Sequence, residues 1–316
     1  MTVIRLKKGM EIYPYVITEI LPQGRGGMAQ VCVASLKSGD EKVALKISRG
    51  SSQNQRFENA LSAEALILLE FNHPNVIKIL PSAIESKYDH PMARALNLPG
   101  QPWYFAMEYL RGSSLKSIIG SKSMTEHIAS SIIRSIATGL NHVHSKEIAH
   151  LDLKPENIVF RNPLKRGENL EPVLIDFGIA ANVKAIQTDS GSLAFMPPER
   201  INQVGKKVAP EYANLIVDPI KIDVYGLGVV FYELITGRLP FRGNTRRSLT
   251  SAILNHILVP PREIRKNISA RIENLLMDML DEDPQRRPSL VEVMESIDGF
   301  YRRVDRLELD IPVRRH

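Results

Sequence analysis

Apolar positions change their rhythm about a third of the way along this chain. The stretches AQVCVASL and KVALKIS carry β-branched residues in rough alternation and are separated by KSGDE, a turn-forming cluster, which predicts two strands. A helical pattern follows over 57–70, with Phe57, Leu61, Ala65 and Leu68 on one face. HPNVIKIL and PWYFAMEYL read as further strands. Beyond RGSSL the period lengthens. Ser123 with Glu126 three positions on has the form of a capping box, and Ile128, Ile132, Ile136, Leu140 and Val143 then recur at helical spacing. After Gly191 the pattern is mostly helical and broken by proline, and its most apolar window, VYGLGVVFYELI, predicts a buried helix. The expected class is α+β, with a small strand-rich N-terminal part and a larger helical C-terminal part that change over at 109–115.

Composition adds limits to this picture. At 316 residues, 43% hydrophobic and 24% charged, the chain resembles a soluble globular protein of two lobes rather than one compact core. The apolar window contains Glu233 and is too short to span a bilayer, and the opening MTVIRLKKGMEIYPYVI has no long apolar run, so neither a membrane segment nor a secretory signal is expected. A single cysteine, Cys32, excludes an intrachain disulfide and a cysteine metal cluster and fits a reducing, cytoplasmic compartment. The net charge of +6 is spread among interleaved acids, even in the tail YRRVDRLELDIPVRRH, which reads as a solvated basic surface; no nucleic-acid partner is expected.

Four clusters carry candidate chemistry. QGRGGMAQV sets Gly24, Gly26 and Gly27 between two strands, where backbone N–H groups could approach an anion; an ordinary hairpin turn has the same look, and no Walker A spacing is present. In VALKIS, Lys46 sits among Ala44, Leu45 and Ile47, where an ammonium calls for an anionic partner such as a phosphate or Glu64, unless it snorkels from a sheet edge. HLDLKPENIVF crowds Asp152, Lys154 and Asn157 beside an apolar segment, and LIDFGIA ends an apolar strand at Asp176, a candidate magnesium ligand.

In the order glycine loop, VALK, Glu64, HLDLKPEN, DFG and PPE, the sequence resembles the protein kinase family in its serine/threonine branch, over 12–300 of the chain. The resemblance implies a two-lobed kinase-like fold with lobes at about 1–108 and 112–300 and a short tail at 301–316. It implies ATP and Mg²⁺ as cofactors and proteins as substrates. Gly24, Gly26, Ala29 and Val31 would form the phosphate loop, with alanine replacing its third glycine. Lys46 would hold the ATP phosphates and pair with Glu64. Val31, Ala44 and Val159 would sandwich adenine, Met107 would be the gatekeeper, and the backbone from Glu108 to Leu110 would bond the base. Asp152 would be the catalytic base, Lys154 would neutralise the transferring phosphoryl group, and Asn157 and Asp176 would hold the metal. Ser192 would contact Asp152 and Lys154, Glu199 would pair with Arg287, and Asp223 would bond the backbone of the catalytic loop.

Two departures stand out. Leu151 occupies the place of the family's arginine, which pairs with a phosphate on the activation segment, so phosphorylation there is expected to be dispensable. The segments SAIESKYDHPMARALNLPGQP and RINQVGKKVAPEYANLIVDPIKI are longer than usual and are expected to be surface insertions. With Lys46, Asp152, Asn157 and Asp176 all present, an active enzyme is favoured over a scaffolding pseudokinase. GSLAFMPPER with its matching Arg287 favours a polypeptide substrate over a small molecule, and Lys154 favours serine and threonine over tyrosine.

Overall fold

The computed structural model describes residues 5–21, 29–39, 41–49, 55–81, 91–121, 124–165, 169–178, 180–182, 192–204 and 217–299. The chain divides into two compact units, Met1–Arg111 and Gly112–His316.

The first unit is built on an antiparallel sheet. Its strands are β1 (Glu11–Ile12), β2 (Tyr15–Ile20), β3 (Ala29–Leu36), β4 (Lys42–Ser48), β5 (Met92–Arg94) and β6 (Trp103–Glu108), in the spatial order β1-β2-β3-β4-β6-β5. Cys32 lies opposite Leu45 and Leu45 opposite Ala106, so these residues share one face, where Tyr15, Ile17, Ala34, Val43, Ile47 and Tyr104 complete an apolar cluster. Alternation sends Val31, Val33, Ala44, Lys46, Phe105 and Met107 to the other face. Helix α1 (Gln55–Leu69) packs on β4 and β6. Leu61, Ala65 and Leu68 of its predicted face are buried, while Phe57 is half-buried.

Two expectations for this unit need correction. HPNVIKIL does not form a strand. Pro74 and Asn75 make a turn, with the Asn75 amide on His73 Nδ1 at 3.1 Å and the Val76 amide on the His73 carbonyl at 3.1 Å. Only 78–80 runs beside β6, through Glu108 N–H to the Lys78 carbonyl (3.0 Å) and Leu80 N–H to the Ala106 carbonyl (2.8 Å). β5 occupies the rest of that edge, with Met92 opposite Phe105. The stretch before PWYFAMEYL is likewise only partly a surface insertion. Residues 82–90 lie outside the described part, but 92–94 form β5, and Ala95 and Leu98 are buried in the same cluster as Leu45.

The second unit is mostly helical. It contains α2 (Glu126–His144), the short strands β7 (Ile148–Ala149), β8 (Ile158–Phe160), β9 (Pro172–Leu174) and β10 (Ala181–Asn182), then α3 (Pro198–Val204), α4 (Pro219–Thr236), α5 (Arg246–Leu254), α6 (Pro261–Ile264), α7 (Ala270–Met279) and α8 (Leu290–Asp298). β7 pairs with β10 and β8 with β9, both antiparallel. The predicted apolar face of α2 is buried at Ile128, Ile132, Ile136, Leu140 and Val143, against α4, α8 and β9 among other elements. Its cap differs from the expected one. Thr125 Oγ1 receives the Ile128 N–H at 3.2 Å, and Ser123 lies outside the described residues. Glu126 is thus the first helical residue, and its carboxylate instead accepts the N–H (2.7 Å) and the hydroxyl (2.9 Å) of Ser269, the cap of α7.

Helix α4 is the buried helix its composition predicts. Asp218 caps it, Pro219 opens it, every residue from 222 to 235 is buried, and Gly237 ends it at φ 72°. Among the described residues no helix is long and apolar enough to cross a membrane. The second expected insertion narrows to 205–216, which is not described, because α3 and α4 take up its flanks.

Candidate active site

The candidate residues fall into two groups, one in each unit. In the first, Lys46 lies on β4 between β3 and β6, opposite Val31 and Phe105. An ammonium there requires a counter-charge, since its side chain is only 12% exposed. Glu64, on the buried side of α1 and 5% exposed, supplies it, with Oε1 2.6 Å from Lys46 Nζ. Val31, Ala44 and Met107 share the Lys46 face of the sheet, and Ala29 begins β3. Glu108 ends β6 and accepts the Lys78 N–H on Oε1 at 3.0 Å; Leu110 follows. Gly24 and Gly26 lie outside the described residues.

The second group is built on the loop from β7 to β8. Asp152 is its centre. Lys154 Nζ lies 2.5 Å from Asp152 Oδ2, Asn157 Nδ2 3.1 Å from the same oxygen, and the Ser192 N–H donates to Oδ1 at 3.2 Å. Ser192 thus meets Asp152 through its backbone. Asn157 also donates to the Asp152 carbonyl at 2.9 Å, so both bonds of its amide nitrogen run to one residue and Oδ1 is the oxygen it has to present. The loop runs directly into the β8–β9 hairpin, where Ile158 faces Leu174 and Val159 faces Val173, and the Ile175 N–H bonds the Asn157 carbonyl at 2.9 Å. Asp176 therefore follows a residue tied to Asn157. It is exposed, with φ 64°, and Phe177 beyond it is buried against His150 with ring centroids 4.7 Å apart.

Behind the loop stands a buried polar scaffold. Asp223 on α4 accepts the His150 and Leu151 N–H groups at 2.8 Å each, and His144 Nε2 lies 2.8 Å from its Oδ2. Burial pushes the Asp223 carboxyl up, but the bond and charge of His144 and the Leu151 amide outweigh it and hold the group below its ordinary value. His150 bridges two segments of the site, with Nε2 3.1 Å from the Ile175 carbonyl and Nδ1 3.3 Å from the Asp152 backbone nitrogen. Glu199 and Arg287 form the expected pair, bidentate at 2.7 and 2.9 Å and buried. Next to Glu199, Arg200 sends Nη1 to the Leu151 carbonyl at 2.6 Å. Sequence reasoning gave no role to His144, His150 or Arg200; His150 opens the quoted HLDLKPENIVF and Arg200 ends the quoted GSLAFMPPER, whereas His144, at the end of α2, carries no comparable signal.

One unit is strand-rich and carries a paired lysine and glutamate, and the other is helical and carries a carboxylate-centred loop braced by a buried aspartate. Comparison with known families matches residues 16–297 to the protein kinase domain, and the chain belongs to that family. It is 28% identical to a probable serine/threonine-protein kinase of Clostridium perfringens, over 84% of this chain and 35% of that one. It is 30% identical to sperm motility kinase 3A of Mus musculus (89% and 48%) and 29% identical to serine/threonine-protein kinase PrkC of Bacillus subtilis (86% and 38%). The chain spans less than half the length of each of these relatives.

Proposed function

We propose that this chain is a serine/threonine protein kinase that transfers the γ-phosphoryl group of ATP to a hydroxyl of a protein substrate. The observation that carries the proposal is the Asp152 carboxylate, held by Lys154, Asn157 and the Ser192 amide on a loop that Asp223 fixes from behind. In this reading Asp152 orients the substrate hydroxyl and takes its proton as the oxygen attacks the γ-phosphorus. The bond from that phosphorus to the bridging oxygen breaks, and ADP leaves. Lys154, already beside Asp152, neutralises charge on the moving group. Lys46, oriented by Glu64, holds the ATP phosphates together with the loop of Gly24, Gly26 and Ala29. Val31, Ala44 and Val159 pack against adenine, Met107 lies behind it, and the backbone from Glu108 to Leu110 bonds its edge.

Asn157 and Asp176 would hold Mg²⁺, which when bound offsets phosphate charge. Two oxygen-bearing side chains suit an ion that completes its shell with water and substrate phosphates. Among the described residues no group of three or more His, Cys, Asp or Glu is gathered for a metal. The lone, buried thiol of Cys32, whose pKa burial pushes up to about 12, suits a cytoplasmic setting.

The test is incubation with γ-labelled ATP, Mg²⁺ and a generic basic protein. Asp152→Asn is expected to cut transfer by about 10²–10⁴-fold while leaving the melting curve unchanged. A parent chain that transfers no label, or a variant that matches it, defeats the proposal.

A further inference from the structure

Leu151 is the residue next to the proposed base, and its backbone is unusual. Its φ of 65° lies in the left-handed region, which a residue with a branched side chain rarely adopts. Such a conformation persists only where its surroundings enforce it. Here both ends of the residue are held. Its N–H donates to Asp223 Oδ1 at 2.8 Å, and its carbonyl accepts from Arg200 Nη1 at 2.6 Å. The Leu151 side chain is 3% exposed and packs with Ala149, Ile222 and Val217, so water does not serve these backbone groups. That carbonyl belongs to the peptide linking Leu151 to Asp152. Whatever fixes it also fixes where the Asp152 side chain sets out.

Arg200 is well suited to this work and is an unexpected residue for it. It is 2% exposed, at the start of α3, directly after the Glu199 that Arg287 anchors. Burial lowers the pKa of its guanidinium, while the charges of Asp223 and Asp152 pull it back up. A buried cation there needs a purpose beyond packing, since an apolar side chain of that length would fill the space without the desolvation penalty. We propose that Arg200 is a positioning residue that clamps the Leu151 carbonyl and so holds Asp152 in its working orientation. The clamp runs from the end of the activation segment to the catalytic loop through one hydrogen bond. Its catalytic consequence rests on the kinase reading; its structural consequence does not.

The experiment compares the parent chain with Arg200→Met and Arg200→Lys by phosphoryl-transfer kinetics, thermal melting and amide hydrogen exchange over 148–158. In the methionine variant kcat is expected to fall about 30–100-fold, the scale of a small misplacement of a reacting group. KM for ATP should stay within about twofold, because nucleotide binding does not use this bond. The lysine variant, with one amine on a shorter stem, should lose about threefold to tenfold. Exchange at Leu151 and Asp152 should quicken about tenfold in the methionine variant. A folded methionine variant with the parent kcat, or with kcat and KM both altered in step with its melting temperature, overturns the proposal. If that variant does not fold, a lysine variant with parental kcat and parental exchange overturns it. A parent chain without transfer activity removes the kinase reading alone, and the exchange comparison then decides whether Arg200 clamps the loop.

Discussion

Arg287 shows how much one buried side chain can hold. Its guanidinium reaches both oxygens of Glu199 and also donates to the carbonyls of Asp281 and Lys221, at 2.8 and 3.1 Å. Arg287→Met should leave Glu199 charged and unpartnered in the interior and cost about 3–5 kcal/mol, measured by urea unfolding. Asp223 makes a pH-dependent prediction. Its folded pKa lies below the unfolded value, so its stabilisation is complete above about pH 4 and is lost as pH falls through the folded value. The stability difference between the parent and Asp223→Asn should shrink as pH falls below about 4. Residues of this kind differed in how legible they were. Lys46 could be matched with Glu64 because an ammonium among apolar neighbours needs an anion, whereas Glu199 was matched with Arg287 only through the family resemblance. The expected contact of Ser192 with Asp152 is present, but the atom that makes it was not legible, because a backbone N–H belongs to any residue; Arg200 was not legible because its partner is a carbonyl.

At the level of elements, α4 is defined by how closely its neighbours approach. A Cβ on Gly228 would lie 2.9 Å from the Met279 Cβ on α7, inside normal contact. Gly228→Val should therefore push α4 and α7 apart and destabilise the chain by about 1–3 kcal/mol, read as a lowered denaturation midpoint with an unchanged m-value. The periodic elements were the readable ones: β3, β4, β6, the buried face of α2 and the uniformly apolar α4 all lie where alternation or helical spacing put them. The short ones were not. HPNVIKIL has strand composition, but Pro74 forces a turn and β5 claims part of the β6 edge that it would need. The cap of α2 is Thr125, because Ser, Thr and Glu in close succession offer several phases for one helix start, and Glu126 is engaged by Ser269 instead.

For the molecule as a whole, the family is certain from the match over 16–297, while the length of the relatives leaves this chain's substrates to experiment. Leu151 provides no cation toward a phosphate on the segment before Ser192. Thr188→Ala combined with Ser190→Ala, at positions outside the described residues, should keep phosphoryl-transfer rates within about tenfold of the parent. A loss larger than that would mean another cation reads a modified segment. A last consequence follows from the bond between Glu126 and Ser269, which are 143 positions apart. On a ribosome adding about 5–20 residues each second, the glutamate leaves the tunnel roughly 7–29 seconds ahead of the serine that occupies it. Through that interval the nascent C-terminal unit carries an acid without its intended partner, and a transcript truncated anywhere between the two codons yields a product that never closes this clasp.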